Sequence, residues 1–303
     1  MRAGTGQRLR WRAGFTLIEM LVAMALTLLL TIAALRMLRG TLLFVERSER
    51  NQQARGVART STALIALDMQ PVTASLGGTS AVEAATTTSV TFRTPVAMGV
   101  LCSTSGISAT ISLLPADSVQ FVGGVIAGAA YRSAAGEWQY LPGSTLAAVA
   151  NVAACAAAGV NVDALAAGVG ATGAPAGRIV TVTATIPLGT RPGTLVLLYR
   201  RIRYDFAASV ANPGQRALWR RSLDAATGLS LQDVEVATPL TSAASFQFYS
   251  GTARVPQAVV PALNAIRGLE FILPSSSTSR ARDNSAASVT TVRTSIFFRN
   301  RLD

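Results

Sequence analysis

Arg12-Ala13-Gly14-Phe15-Thr16-Leu17-Ile18-Glu19-Met20-Leu21-Val22-Ala23 opens a stretch that continues as MALTLLLTIAAL to Leu35. Glu19 is the only charge between Phe15 and Leu35. As a helix this segment is about 32 Å long, enough to cross a hydrocarbon core. Arg2, Arg8, Arg10 and Arg12 precede it with no acid among them. Basic flanks stay on the cytoplasmic side, so the leader is expected there and the rest of the chain across the membrane. A cleavable secretory signal would finish in small residues, whereas this run ends in Arg36, Met37, Leu38 and Arg39. A carboxylate inside an apolar helix costs about 2.5 kcal/mol or more, which marks Glu19 as a functional residue in need of a compensating group. The first helical turn suits it, because the helix dipole favours negative charge there.

The helical pattern continues beyond Arg36 in polar form. Val57, Leu64, Ile65 and Leu67 recur at helix spacing among Glu46, Arg47, Glu49, Arg50, Arg55 and Arg59. Pro71 predicts the stop, giving one helix from about 15 to 70, with Gly40 and Gly56 as candidate bends. After Pro71 the period changes to two. Strands are expected around Val90 and Phe92; Ile107, Ala109 and Ile111; Val119 and Phe121; and Val180 to Ile186. Between Leu195 and Phe206, apolar Ile202, Tyr204 and Phe206 share one face and Arg201, Arg203 and Asp205 the other. Asn212-Pro213-Gly214 supplies a turn into Ala217–Ser222, so a long hairpin is expected. Further strands are expected at Ser245–Tyr249, Ile266–Leu273 and Val289–Phe298, with Pro274–Ser285 as a loop. The fold class is therefore α+β: a leader (1–14), an apolar helix (15–36), its amphipathic continuation (37–70) and a β-rich domain (71–303). An Ala/Gly-rich insertion at about 142–177 interrupts that domain.

Composition narrows the function. The 303 residues are 50% hydrophobic and 14% charged, enough to build a core. All 27 basic residues are Arg, and the net charge of +12 falls to +8 once the four leader arginines are removed. Histidine is absent, which removes the commonest general base and metal ligand and argues against an enzyme. No phosphate-binding loop or dinucleotide fingerprint occurs, so no cofactor is expected.

Cys102 and Cys155, both beyond the apolar segment, are the only cysteines. In an oxidising compartment they could close one loop and pin the insertion to the sheet; otherwise they are two separately buried thiols. Arg191, Arg200, Arg201, Arg203, Arg216, Arg220 and Arg221 crowd the predicted hairpin and could meet nucleic-acid phosphates or acidic partners. On a strand's solvent face such residues more often solubilise and protect an edge. Asp224, Asp233 and Glu235 lie close in sequence but lack calcium-loop spacing, so they read as a solvated turn and no metal ligand is assigned.

The run R-A-G-F-T-L-I-E-M-L-V-A resembles the class III signal of type IV pilins and type II secretion pseudopilins. That resemblance implies cleavage by a prepilin peptidase between Gly14 and Phe15 and N-methylation of Phe15. It also implies residence in the inner (cytoplasmic) membrane with a periplasmic β domain, and assembly with other pilins or pseudopilins through the N-terminal helix. Glu19 would pair with the amino terminus of a neighbouring subunit and set its register. The hairpin L-L-Y-R-R-I-R-Y-D-F followed by A-L-W-R-R-S, and the final T-T-V-R-T-S-I-F-F-R-N-R, are similar to PilW-type minor pilins and to PulJ- or GspJ-type minor pseudopilins. The first implies pilus initiation or capping at the tip, the second a secretion pseudopilus. From another class, an adhesin or ligand-binding module carried on the same anchor would expose Trp138 and Trp219 in a groove.

Overall fold

The computed structural model describes residues 16–72, 79–114, 116–117, 126–143, 155, 157–160, 179–276 and 289–298. A single helix, α1 (Leu17–Met69), runs through Gly40 and Gly56 without interruption. It starts where Thr16 provides an N-cap and stops one residue after Met69, where Gln70 caps it and Pro71 cannot continue the hydrogen-bond ladder.

Twelve described strands form one sheet: β1 (Val82–Ala85), β2 (Ser89–Thr104), β3 (Ala109–Leu113), β4 (Gly128–Arg132), β5 (Trp138–Pro142), β6 (Ile179–Val182), β7 (Leu195–Ala208), β8 (Arg216–Leu223), β9 (Ser230–Leu240), β10 (Ser245–Ser250), β11 (Ile266–Ser276) and β12 (Val289–Phe297). The two longest, β2 and β7, pair antiparallel from Ser89↔Asp205 to Val100↔Leu195 and form its spine. On the far edge of β7, β4 pairs with Val196–Tyr199 and β8 with Arg201–Ala208. Two strand groups thus branch from one shared pair. The β4 end also carries β3, β6 and β5, while the β8 end leads through β9 to β11, which β10 and β12 flank. Gly128 lies at the branch, where an added Cβ would come within 2.1 Å of the Leu141 carbonyl and 2.6 Å of the Tyr199 hydroxyl, so no larger residue fits without movement.

The larger core cluster lies where the C-terminal part of α1 meets the β8 end. Ile65 and Met69 pack there with Phe92, Tyr204, Phe246 and Phe271. Phe246 bridges its aromatic neighbours, 4.6 Å from Phe206 and 5.3 Å from Phe271 between ring centroids. A second cluster, with Leu101, Ile111, Val180 and Leu198, fills the β3–β6 end.

The hairpin forms as its alternation predicts: Ile202, Tyr204 and Phe206 are buried, and Asn212-Pro213-Gly214 makes the turn, with Gly214 in the left-handed region at φ 85°. Several expectations need correction. Pro274–Ser276 belong to β11 rather than to a loop, because their register with β12 is continuous to Ser276↔Val289. Ile107 is exposed in the turn before β3 instead of lying on a strand. β6 ends at Val182, although Ala184 and Ile186 keep the alternation and stay buried. Asp233 and Glu235 lie on strand β9, not in a turn, and Pro142 belongs to β5. Val119, Phe121, most of the Ala/Gly-rich insertion and residues 277–285 of the expected loop lie outside the described residues.

Candidate assembly helix and its junction with the sheet

The first 30 residues of α1, Leu17–Glu46, are long and apolar enough to cross a membrane, and none of that length is buried against the β domain. Leu17, Leu21, Met24, Leu28, Ile32, Leu35 and Leu42 all stand exposed. A helix that is apolar all round has no water-facing side, so it requires lipid or other helices as its surroundings. Its hydroxyls are already satisfied: Thr27 donates to the Ala23 carbonyl, Thr31 to the Thr27 carbonyl at 2.7 Å and Thr41 to the Leu38 carbonyl at 2.8 Å. Such back-bonding lets threonine enter a medium without water.

Glu19 sits at the third helical position of a capping box. Its carboxylate accepts from the Thr16 backbone N–H at 3.0 Å and from the Thr16 hydroxyl at 3.1 Å, while its own N–H donates to the Thr16 hydroxyl at 3.4 Å. The acid therefore closes the helix start within its own chain, directly after Gly14 and Phe15, which lie outside the described residues.

At the other end, Asp68 fixes the helix to the sheet. Arg220 of β8 donates to both carboxylate oxygens, 2.5 Å from Nε and 3.2 Å from Nη2, and the Tyr204 hydroxyl donates to the same carboxylate at 2.8 Å. Burial, then the adjoining Asp68 charge, pushes the Tyr204 hydroxyl far above its ordinary pKa, so it remains a donor. The hydrogen bond to Asp68 holds the Arg220 guanidinium even more firmly protonated. Asp68 was not singled out from the sequence. Its one signal was an acid in the last turn of a helix, where the dipole disfavours it unless a cation is close.

Arg201, Arg203, Arg220 and Arg221 of the arginine-rich hairpin are each paired with an acid. Arg201 forms a two-pronged pair with Glu83 at 2.8 and 2.6 Å and also donates to the Asp224 and Ala225 carbonyls. Arg221 bridges Asp205 at 2.7 Å and Asp233 at 2.5 Å, and Arg203 reaches Asp205 at 3.3 Å. These contacts tie strands together rather than offering a free cationic row. The partners Glu83, Asp68 and Asp233 come from other elements, which no pattern within the hairpin reveals.

Cys102 on β2 and Cys155 are joined by a disulfide with 4.6 Å between Cα atoms, packed beside Ile179 and Val160. Asp224, Asp233 and Glu235 do separate jobs. Asp224 accepts from the Thr227 and Ala226 N–H groups and the Thr227 hydroxyl, which lowers its pKa. Asp233 pairs with Arg221. Glu235 accepts from the Ser209 hydroxyl and from the Val210 and Ala211 N–H groups at 2.5, 3.0 and 3.3 Å. Burial raises the pKa of Glu235, but these donors outweigh it and the net shift is downward. Among the described residues no three acids or cysteines gather as metal ligands.

Trp138 packs at the margin of the main core. Trp219 donates from its indole to the Ala208 carbonyl at 3.1 Å and lies under Arg221. Neither lines the open groove of about 380 Å³ bounded by Ala127, Arg200, Arg201, Ser222, Leu223, Leu231 and Gln232 at the branch between β4 and β8.

The helix thus has an exposed apolar half, an acid capping its first turn and a clamp at its far end. Residues 12–35 match the prokaryotic N-terminal methylation motif. The segment is a type IV pilin-like class III signal. The motif accounts for the order Gly14, Phe15 and Glu19 and for the apolar run that follows; its match ends at residue 35, before the β domain. No curated protein and no solved structure matches the chain.

Proposed function

We propose that this chain is a minor subunit of a type IV pilus, similar to PilW-type pilins, whose activity is assembly rather than catalysis. The supporting observation is the methylation-motif helix, exposed over Leu17–Glu46, joined without a break to a segment docked on a β-sheet. A prepilin peptidase cuts after Gly14 and methylates Phe15, while the chain sits in the inner membrane with its β domain in the periplasm. The helix then leaves the bilayer by packing against the helices of neighbouring pilins. Close helix packing replaces lipid contacts with little change in apolar burial, so polar pairing sets register. Glu19 exchanges its bonds to the neutral Thr16 donors for the amino terminus of a neighbour, a donor that carries a full positive charge. The large β domain suits a subunit at the filament tip that initiates or caps it. The same observations suit a J-type minor pseudopilin of a type II secretion system.

The test is Glu19→Leu in the full chain. Processing at Gly14 should persist, while recovery of the subunit in sheared filaments should fall at least tenfold. Undiminished recovery would remove Glu19 from assembly. Deleting the pilus or the secretion genes separately tells which filament carries the chain.

A further inference from the structure

Two long strands, β9 apart from its pairing with β11 at Leu240 and β12 along its whole length, leave one edge unpaired among the described residues, and the two edges are built differently. β9 carries Asp233, Glu235 and Pro239 and loses register with β8 in three places. Charges, proline and bulges are the devices by which natural sheets keep edges from pairing with other chains. β12, Val-Thr-Thr-Val-Arg-Thr-Ser-Ile-Phe, has none of them except Arg293. Its register with β11 is unbroken over nine pairs from Gly268↔Phe297 to Ser276↔Val289. The remaining outer strands β1, β5 and β6 are four or five residues long, and the six-residue β10 has its outer side met by the Thr87 carbonyl and by Gln257.

Among the described residues nothing pairs with the other edge of β12. The Phe298 N–H donates to the Arg267 carbonyl, so even-numbered residues of this strand direct their backbone groups toward β11. By the alternation of an antiparallel ladder, Thr291, Arg293 and Ser295 direct theirs outward. Among the described residues the outer edge therefore presents a regular row of donors and acceptors that no strand takes up, with exposed Val289 and Phe297 at its two ends.

We propose that β12 is an assembly edge that accepts an extended strand from a different subunit of the same filament, one that places an acidic residue opposite Arg293. This rests on the filament-subunit reading above. α1 lies along β12, with the Thr290 and Thr294 hydroxyls each 3.5 Å from Asn51 and Thr62. β12 thus lies beside the same helix whose Leu17–Glu46 end stays exposed for neighbouring subunits. A second copy of the chain is the wrong partner: Arg293 is the middle residue of β12, so full antiparallel self-pairing would set Arg293 opposite Arg293. A foreign strand bearing Asp or Glu converts that repulsion into a pair, and main-chain bonds supply the rest, as in strand addition generally.

The experiment places a photo-crosslinking residue at Val289 of the full chain in its own cells and identifies the product by mass spectrometry. The expected product joins β12 to an extended segment of another filament subunit. Thr291→Pro removes one outward N–H while sparing the ladder to β11, and should lower that product at least tenfold with the melting temperature unchanged. Arg293→Glu, at an exposed position, should do the same without touching the backbone. A homodimer through β12, or a heterodimer whose yield survives either folded variant, would overturn the proposal. If both variants and the parent still enter filaments equally and no product forms, strand addition fails while the filament reading stands. A parent chain absent from filaments fails both.

Discussion

The two ends of α1 are one continuous helix in two different surroundings. From Leu17 to Glu46 its large apolar side chains are exposed. From Ala58 to Met69 its buried positions fall at Ala58, Ser61, Ile65 and Met69, the spacing of a helix lying on one surface. The first segment carries the apolar surface and no fixed partner; the second carries the specific partner, through Ile65, Met69 and Asp68. Docking on the β domain and the exposed apolar surface thus lie on separate stretches, so mutations should separate their effects.

The comparison breaks most visibly at the disulfide and the docked end. Replacing Cys102 and Cys155 together by Ser releases a 53-residue separation and should lower stability by on the order of 4 kcal/mol, read by denaturant melts, with membrane retention unchanged. Ile65→Ala, at a position with no exposure, should cost about 3 kcal/mol in the same melts and also leave membrane retention intact. Leu28→Arg should do the reverse. It penalises membrane insertion by about 3 kcal/mol, seen as loss from the membrane fraction, and leaves the melt of the β domain where it was. If Leu28→Arg shifted the melt or Ile65→Ala released the chain from the membrane, the division of labour along α1 would be wrong.

A smaller effect sharpens the account of the clamp. Asp68→Asn leaves Arg220 half-buried without its anion and should cost about 2 kcal/mol; because the pair is partly solvated, the loss stays below that of a fully buried one. The smallest is at Glu235, whose folded pKa lies below its ordinary value of 4.5. A depressed folded pKa contributes stability that is complete above the ordinary value and lost as pH falls through the folded one. The melting difference between the parent and Glu235→Gln should therefore be present at pH 7, begin to shrink near pH 4.5 and vanish only once the pH has fallen through the lower folded pKa.

Where chemistry was local, the sequence was legible. The apolar run, the stop at Pro71 and the Ile202-Tyr204-Phe206 alternation each rest on neighbours in the chain, and each has its counterpart in the structure. β1, β4 and β5 were missed because they are four or five residues long and are held by partners across the sheet, and β9 because it is exposed from Ser230 to Val234. The five-residue β4, Gly-Ala-Ala-Tyr-Arg, has almost no alternation of its own and is held between Leu141 of the next strand and Tyr199, far away in sequence. The same reasoning explains the candidate site. Gly14, Phe15 and Glu19 form a motif of adjacent residues, whereas the partners of Arg201 and Arg220 arrive from β1 and α1, and no spacing rule reveals them.

The central claim is that the apolar end of α1 is a processed assembly helix. Intact-mass and N-terminal peptide spectrometry on the chain from cells with and without prepilin peptidase tests it most directly. A chain beginning at methylated Phe15, found only when the peptidase is present, is the predicted result. A chain beginning near Arg36, or one retaining Met1 in both strains, would contradict it.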